Sequence, residues 1–287
     1  MRALLITGGS GYLGRHLARQ AAAEWQVVAT YYSHPDPLAG CQAVPLDVRD
    51  GPAVDRLLTD LRPTAVIHAA YDMGSPQAMQ SVIVEGTRHV AAAVAAVGAR
   101  LLAISTDVIF DGEHGPYCEA DPPNPVTPYG RAKAEAERIV AALCPQAAIV
   151  RTSLIYGFNP PDPRTLWVVD SLRSGRPITL FTDELRCPVW VEQLAAALLE
   201  LAGKEAENIG GIWHLAGQQA LSRYEFGVRL AHACDQDPAG ITPGLSRDSG
   251  ALRPRDCRLQ IGRAQAHLRS PLWGVDQVLK TQKPRFF

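Results

Sequence analysis

Short apolar runs alternate with helix-period segments through the first half of the chain. Residues 3–6 form a continuous apolar run of the kind carried by a strand buried on both faces, and residues 15–23 follow at helical period. The alternation continues with strands expected at 26–30, 43–46, 64–67, 100–104 and 147–150, and helices at 53–61, 82–97 and 128–143. Repeated strand–helix–strand units predict an α/β fold with a doubly wound parallel sheet. Beyond residue 150 the alternation weakens: 158–163 reads as loop, 165–174 as helix, and 188–201 as a helix with Val191, Leu194, Leu198 and Leu201 on one face. Residues 212–215 look like a late strand. The pattern therefore divides the chain into a dinucleotide-binding part, 1–150, and a smaller, mainly substrate-binding region, 151–287, with 188–216 returning to the sheet.

The first strand runs straight into Thr7-Gly8-Gly9-Ser10-Gly11-Tyr12-Leu13-Gly14, where helix follows. Glycines at 8, 11 and 14 allow a tight turn, close approach of a pyrophosphate to the backbone, and close helix-to-strand packing, while the helix N-terminus offers N–H donors. An NAD site would carry an acid at the end of the second strand, about 20 residues on. Here that strand ends in Thr30-Tyr31-Tyr32-Ser33-His34, and the first acid, Asp36, comes only after Pro35. Arg15, Ser33 and His34 suit a 2′-phosphate, so the pattern favours NADPH and leaves NADH as second choice. Two more strand ends face the same edge. Asp47-Val48 closes the third strand, and Ala69-Ala70-Tyr71 follows the fourth, where small side chains admit a nicotinamide ribose to the backbone. His68 reads as a buried, satisfied histidine.

The fifth strand delivers Ser105-Thr106-Asp107 to the carboxyl edge, where doubly wound sheets bind ligands. Thr127 and Pro128 read as N-cap and first position of the next helix, which puts Tyr129 in its first turn and Lys133 one turn on, on the same face. A phenol has an ordinary pKa near ~10, and an adjacent ammonium and helix N-terminus both favour phenolate, which suits proton donation to a carbonyl. A Tyr–Lys pair at this spacing is also an ordinary surface pair, and its placement after the glycine turn and Thr106 gives it weight. Residues 114–126, rich in proline, read as an active-site loop.

Composition narrows the partners. With 287 residues, 47% of them hydrophobic, the chain can bury a full core. A net charge of -1 without a basic face argues against a nucleic acid polymer or a membrane surface, and points to a small molecule. Cys41, Cys118, Cys144, Cys187, Cys234 and Cys257 lie far apart with no metal-ligand spacing, so no metal is expected and the thiols read as reduced and structural. The apolar run at 3–6 is too short for a signal peptide, and a cytoplasmic enzyme is expected.

Several of these motifs together resemble the extended short-chain dehydrogenase/reductases, and among them the dTDP-4-dehydrorhamnose reductase family, along nearly the whole chain. Thr7 to Gly14 resembles the glycine signature. Ser105-Thr106-Asp107-Val108-Ile109-Phe110-Asp111-Gly112 resembles the catalytic strand end, and this narrower motif favours the reductase branch. Tyr117-x-Glu119-x-Asp121, Tyr129-x-x-x-Lys133, Arg151-Thr152-Ser153, Tyr156-Gly157, Tyr224-Glu225-Phe226, Arg253-Pro254 and Cys257-Arg258-Leu259 resemble further segments.

The resemblance implies a Rossmann fold and an NAD(P)-dependent oxidoreductase that passes hydride from NADPH to the 4-keto group of a nucleotide-linked 6-deoxysugar. It gives Tyr129 as proton donor, Thr106 as hydrogen-bond partner of the reacting oxygen, and Lys133 as ribose ligand and modulator of the phenol. Gly8, Ser10, Gly11, Tyr12, Leu13, Gly14, Ser33, Asp47, Val48, Ala69, Ala70, Tyr71, Tyr129 and Lys133 form the expected cofactor set. Thr106, Asp107, Ser153, Leu154, Arg186 and Arg253 form the substrate set, with Arg253 on the diphosphate and a homodimer allowed. Two positions depart from the family: Ile83 stands where an asparagine is usual, and Leu154 where the rhamnose-pathway enzymes carry tryptophan. Other readings are a sugar-nucleotide epimerase or dehydratase, and a regulatory dinucleotide-binding subunit similar to the beta subunit of methionine adenosyltransferase.

Overall fold

A computed structural model describes residues 2–35, 39–205 and 209–282. In chain order its first elements are β1 (Arg2–Thr7), α1 (Tyr12–Ala21), β2 (Trp25–Tyr31), β3 (Cys41–Pro45), α2 (Gly51–Leu61), β4 (Ala65–His68), α3 (Pro76–Ala78), α4 (Gly86–Val97), β5 (Arg100–Thr106), α5 (Pro128–Leu143) and β6 (Ala148–Thr152). Then come β7 (Ile155–Tyr156), α6 (Pro163–Arg173), β8 (Ile178–Phe181), β9 (Leu185–Arg186), β10 (Val189–Trp190), α7 (Val191–Gly203) and β11 (Gly211–Leu215). The last are β12 (Leu221–Ser222), α8 (Arg223–Ala233), β13 (Ile241–Gly244), α9 (Gly262–His267) and α10 (Val275–Thr281).

Seven parallel strands pair in the order β3-β2-β1-β4-β5-β6-β11, a Rossmann-type sheet. The order reverses between β1 and β4, and the crevice outside their carboxyl ends is where such sheets take ligands. Helices cover both faces, which is why the strands read as continuous apolar runs. Leu13, Leu17, Leu194 and Leu198 of α1 and α7 pack on one face, and Val54, Leu58, Val90, Val94 and Val140 of α2, α4 and α5 on the other. Leu4, Leu5 and Ile6 are fully buried, each worth roughly 1.5–3 kcal/mol relative to exposure.

Outside the sheet the strands are short and pair β10 with β7, β12 with β9 and β13 with β8. A nest of aromatic rings holds this region together: Tyr156 lies edge-on to Phe226 at 5.2 Å and to Trp190 at 5.4 Å.

Two expected elements are built differently. The helix expected at 82–97 begins earlier and is not uniform, because Met79–Glu85 winds as π-helix between α3 and α4. That wider turn carries Ile83 and Val84 into a buried cluster with Ala132, Ala136 and Ile139 of α5. The helix expected at 188–201 starts later, since Val189 and Trp190 first pair with Ile155 and Tyr156. No helix among the described residues is long and apolar enough to cross a membrane.

Candidate active site

Strand β5 and helix α5 bring the three central side chains together. Thr127 caps α5, its Oγ1 accepting from Gly130 N at 3.0 Å, and Pro128 occupies the first turn, so Tyr129 and Lys133 project one turn apart. After β5 a single 3-10 turn, Asp107–Ile109, is capped by Thr106, whose Oγ1 accepts from Val108 N at 3.4 Å. Thr106 lies close enough to Tyr129 to draw its phenol down. Lys133 is buried, donates from Nζ to Ile104 O at 2.8 Å, and sits 6.0 Å from the Tyr71 ring centre. The Tyr71 and Tyr129 rings are 6.5 Å apart.

The electrostatics differ from the expectation of an acidified phenol. Burial pushes Tyr129 above its ordinary value, Tyr71 and Asp107 push further, and Thr106 only partly opposes them. The phenol therefore stays protonated, which is the form a proton donor needs. Burial also pulls the Lys133 ammonium down to about 8, with Glu137 opposing. Desolvation outweighs the helix N-terminus and the charge pair on which the sequence argument rested.

Asp107 is buried beside Thr106. Ser153 Oγ donates to its Oδ2 at 2.6 Å, and Arg186 Nε lies 3.6 Å away. Burial raises this carboxyl above the ordinary carboxylate range despite Arg186 and Ser153. Arg186 itself is buried and committed, donating to the carbonyls of Leu185, Pro254 and Arg255 at 2.8 Å each. It ties the 254–255 segment under the site. Arg253 is half exposed, 3.2 Å from buried Glu184 and 5.4 Å from the Phe181 ring centre. Leu154 lies between β6 and β7, half buried, its carbonyl accepting from Val189 N at 2.8 Å. Ile83, fully buried in its apolar cluster, offers no hydrogen bond for a water relay.

At the glycine turn, Gly8 has φ +68°, and a Cβ there would lie 2.9 Å from Ala70 Cα; at Gly14 one would lie 2.7 Å from Gly9 Cα. The turn opens on a cleft of about 220 Å³ lined by Ser10, Thr30, Tyr32, Asp47, Val48 and Ala70, among others. This cradle fits a dinucleotide. Leu13 is buried in the core, so only its backbone faces outward, and Tyr12 turns its hydroxyl to Pro160 O at 3.2 Å. Ser33 and His34 are exposed and bonded to each other at 2.8 Å. Asp36 lies outside the described residues. His68 is a satisfied buried histidine, with Nδ1 2.6 Å from Thr7 Oγ1 and Nε2 3.0 Å from Thr87 Oγ1, and burial and Lys133 lower it to about 3.

Sequence reasoning missed two groups. Arg49 fastens Asp47 at 2.7 Å and reaches Tyr32 Oη at 2.8 Å, placing a guanidinium at the mouth of the cleft where an NAD site has its acid. On the other side, Arg164, Trp167, Val168, Leu180, Arg223 and Phe226 line a groove of about 160 Å³ between α6 and α8. Burial pulls Arg223 down to about 10, with Arg164, Arg186 and Arg253 adding and Glu184 opposing. The signal was present at Ser222-x-x-Glu225, a capping box that fixes the start of α8 and hence Arg223 at its first position.

The family model described as RmlD substrate binding domain matches residues 1–281. The dTDP-4-dehydrorhamnose reductase of Mycobacterium tuberculosis strain H37Rv is 34% identical over 265 residues, covering 88% of this chain and 82% of that protein. Methionine adenosyltransferase 2 subunit beta of Bos taurus is 28% identical over 277 residues, covering 92% of this chain and 82% of that protein. Among solved structures, a hypothetical dTDP-4-dehydrorhamnose reductase from Sulfolobus tokodaii superposes with a TM-score of 0.83 at 30% identity, covering 98% of each chain. The Bacillus anthracis dTDP-4-dehydrorhamnose reductase in complex with NADP shares the fold, with a TM-score of 0.81 at 24% identity over 98% of each chain.

Proposed function

Because the chain belongs to the RmlD substrate binding domain family, that of the dTDP-4-dehydrorhamnose reductases, we propose that it is an NADPH-dependent reductase of a nucleotide-linked 4-keto-6-deoxysugar. The observation that carries this reading is the convergence of Thr106, Tyr129 and Lys133 beside a glycine cradle shaped for a dinucleotide. NADPH, when bound, supplies the hydride. Gly8, Ser10 and Gly11 would hold its pyrophosphate against the α1 N-terminus, Gly14 allows the helix to pack close to the turn, and Asp47, Val48, Ala69, Ala70 and Tyr71 would line its path along the sheet edge. Arg49 and Tyr32 favour the phosphorylated ribose, and NADH remains the weaker alternative.

Tyr129 gives its proton from Oη to the forming alkoxide, Thr106 Oγ1 orients the reacting oxygen, and Lys133 holds the cofactor ribose. Substrate diphosphate is met by the guanidiniums around Glu184, with Arg253 and Arg223 foremost, and Trp167 and Phe226 offer apolar faces to the rest. Asp107 and Ser153 keep the sugar side of the site in shape. A cytoplasmic homodimer fits this reading.

A screen of nucleotide-linked 4-ketosugars for NADPH consumption by the purified chain tests the proposal; consumption with none of them would refute it. The likeness to methionine adenosyltransferase 2 subunit beta supports a second reading, a regulatory dinucleotide-binding subunit. Copurification with a catalytic partner, without NADPH oxidation by the chain alone, would favour it.

A further inference from the structure

The reaction described above leaves one buried acid without a task. Glu137 lies on α5 four residues beyond Lys133 and is 7% exposed. Its carboxylate accepts from Ser105 Oγ, from Arg151 Nη2 at 3.0 Å and from Arg151 Nε at 3.2 Å. Ser105 and Arg151 are register partners in β5 and β6, so both side chains leave the same face of the sheet toward α5. Arg151 also donates to Asp121 O in the 114–126 loop at 3.2 Å and stacks over Phe110 at 5.2 Å. Adjacent residues of one strand thus hold the two α5 side chains: the Ile104 carbonyl takes Lys133 and the Ser105 hydroxyl takes Glu137.

We propose that Glu137 is a positioning residue for the catalytic lysine, a carboxylate fixed by Ser105 and Arg151 so that the neighbouring buried ammonium stays charged and in place. The functional consequence rests on the reductase reading; the charge relation itself does not. The groups facing Lys133 explain why such an acid is needed. His68 of β4 is neutral, Tyr71 and Tyr129 are phenols, Arg151 of β6 is cationic and Asp107 is turned to Ser153 and Arg186. Among these surroundings Glu137 is the carboxylate that raises Lys133 against burial. A buried ion pair adds little stability over an apolar pair of the same shape, so its presence beneath a catalytic helix asks for another reason.

The experiment is a pH titration of the full chain isotope-labelled at lysine Cε, read by NMR without cofactor, with the Lys133 signal identified by its loss in Lys133→Met. The wild-type midpoint is expected near 8. Glu137→Gln keeps the shape and an acceptor for Ser105 and should lower that midpoint by about 1 unit. The double variant Glu137→Met with Arg151→Met removes the acid without stranding a guanidinium, and should show a smaller downward shift, because a facing cation leaves with the acid, if the single variant fails to fold. An unmoved midpoint in a folded variant overturns the proposal, whatever the substrate. In parallel, the alkaline limb of NADPH binding should move down by the same interval; a uniform loss of affinity at every pH would mark the acid as merely structural and also overturn it. Absence of NADPH binding by the wild type would instead count against the reductase reading and leave the NMR result to decide the role of Glu137.

Discussion

The two sides of the site hold charge in opposite ways. Beneath Tyr129, the charged groups are buried and their donors are taken up within the protein: Arg151 by Glu137 and the Asp121 carbonyl, Lys133 by the Ile104 carbonyl beside the same acid. On the substrate side, four guanidiniums, Arg164, Arg186, Arg223 and Arg253, gather around two carboxylates, Asp107 and Glu184. A buried network whose donors are satisfied within the protein fixes geometry, whereas a partly open cluster of four guanidiniums around two acids is poised to take an anion. Under the proposed function, the catalytic half is built before ligand arrives and the substrate half is completed by it.

The sharpest way to break this contrast is to remove one member from each side. Arg151→Ala strands Glu137 and should cost about 3–5 kcal/mol of stability, while Arg253→Ala, which opens a half-exposed pair, should cost less than about 1 kcal/mol. Denaturant unfolding measures both, and equal losses would erase the distinction. For ligand the order reverses. Arg223→Ala or Arg253→Ala should raise KM for the nucleotide sugar roughly 10- to 100-fold, the worth of a charge-assisted hydrogen bond, and leave NADPH affinity unchanged.

Titration separates the halves again. The Lys133 pKa is lowered to about 8 from 10.5, so between these values the unfolded chain binds a proton that the native chain has lost. Stability from this group therefore rises with pH across that window, while NADPH binding, if Lys133 is its ribose ligand as proposed, should fall as pH rises through about 8. Parallel unfolding and binding curves would contradict the assignment. The smallest effect is expected at the cofactor's far end. NADPH should bind more tightly than NADH, and Arg49→Ala should narrow the difference a few-fold; equal affinities in the wild type would remove the argument from the missing acid.

What was legible in the sequence follows the same divide. The bounds of α5 follow from its own Thr127-Pro128 cap, and the sheet strands from apolar runs buried on both faces. The glycine turn declares itself by a conformation few other residues accept. Strands β7, β9, β10 and β12 have two residues each, too few for a period, and Val189–Trp190 becomes strand only because Ile155–Tyr156 lies beside it. The π-helical turn at Met79–Glu85 is likewise decided by how Ile83 meets α5. Arg164 and Arg223 are far apart in sequence and meet only through packing of α6 against α8, so although the capping box at Ser222 places Arg223 on its helix, no motif announces that the two come together. The pKa of Tyr129 was misjudged for a related reason: a helix position and a charge are visible in sequence, but the depth of burial is not.

One measurement bears most directly on the central claim that this site reduces a carbonyl with Tyr129 as proton donor. Tyr129→Phe keeps the ring and removes the proton, so single-turnover and steady-state NADPH oxidation should be compared with wild type on the same nucleotide-linked 4-ketosugar. The account predicts turnover lower by about 10²- to 10⁴-fold, equivalent to about 3–5 kcal/mol of barrier, with NADPH affinity nearly unchanged. Reduction by Tyr129→Phe at the wild-type rate would contradict it.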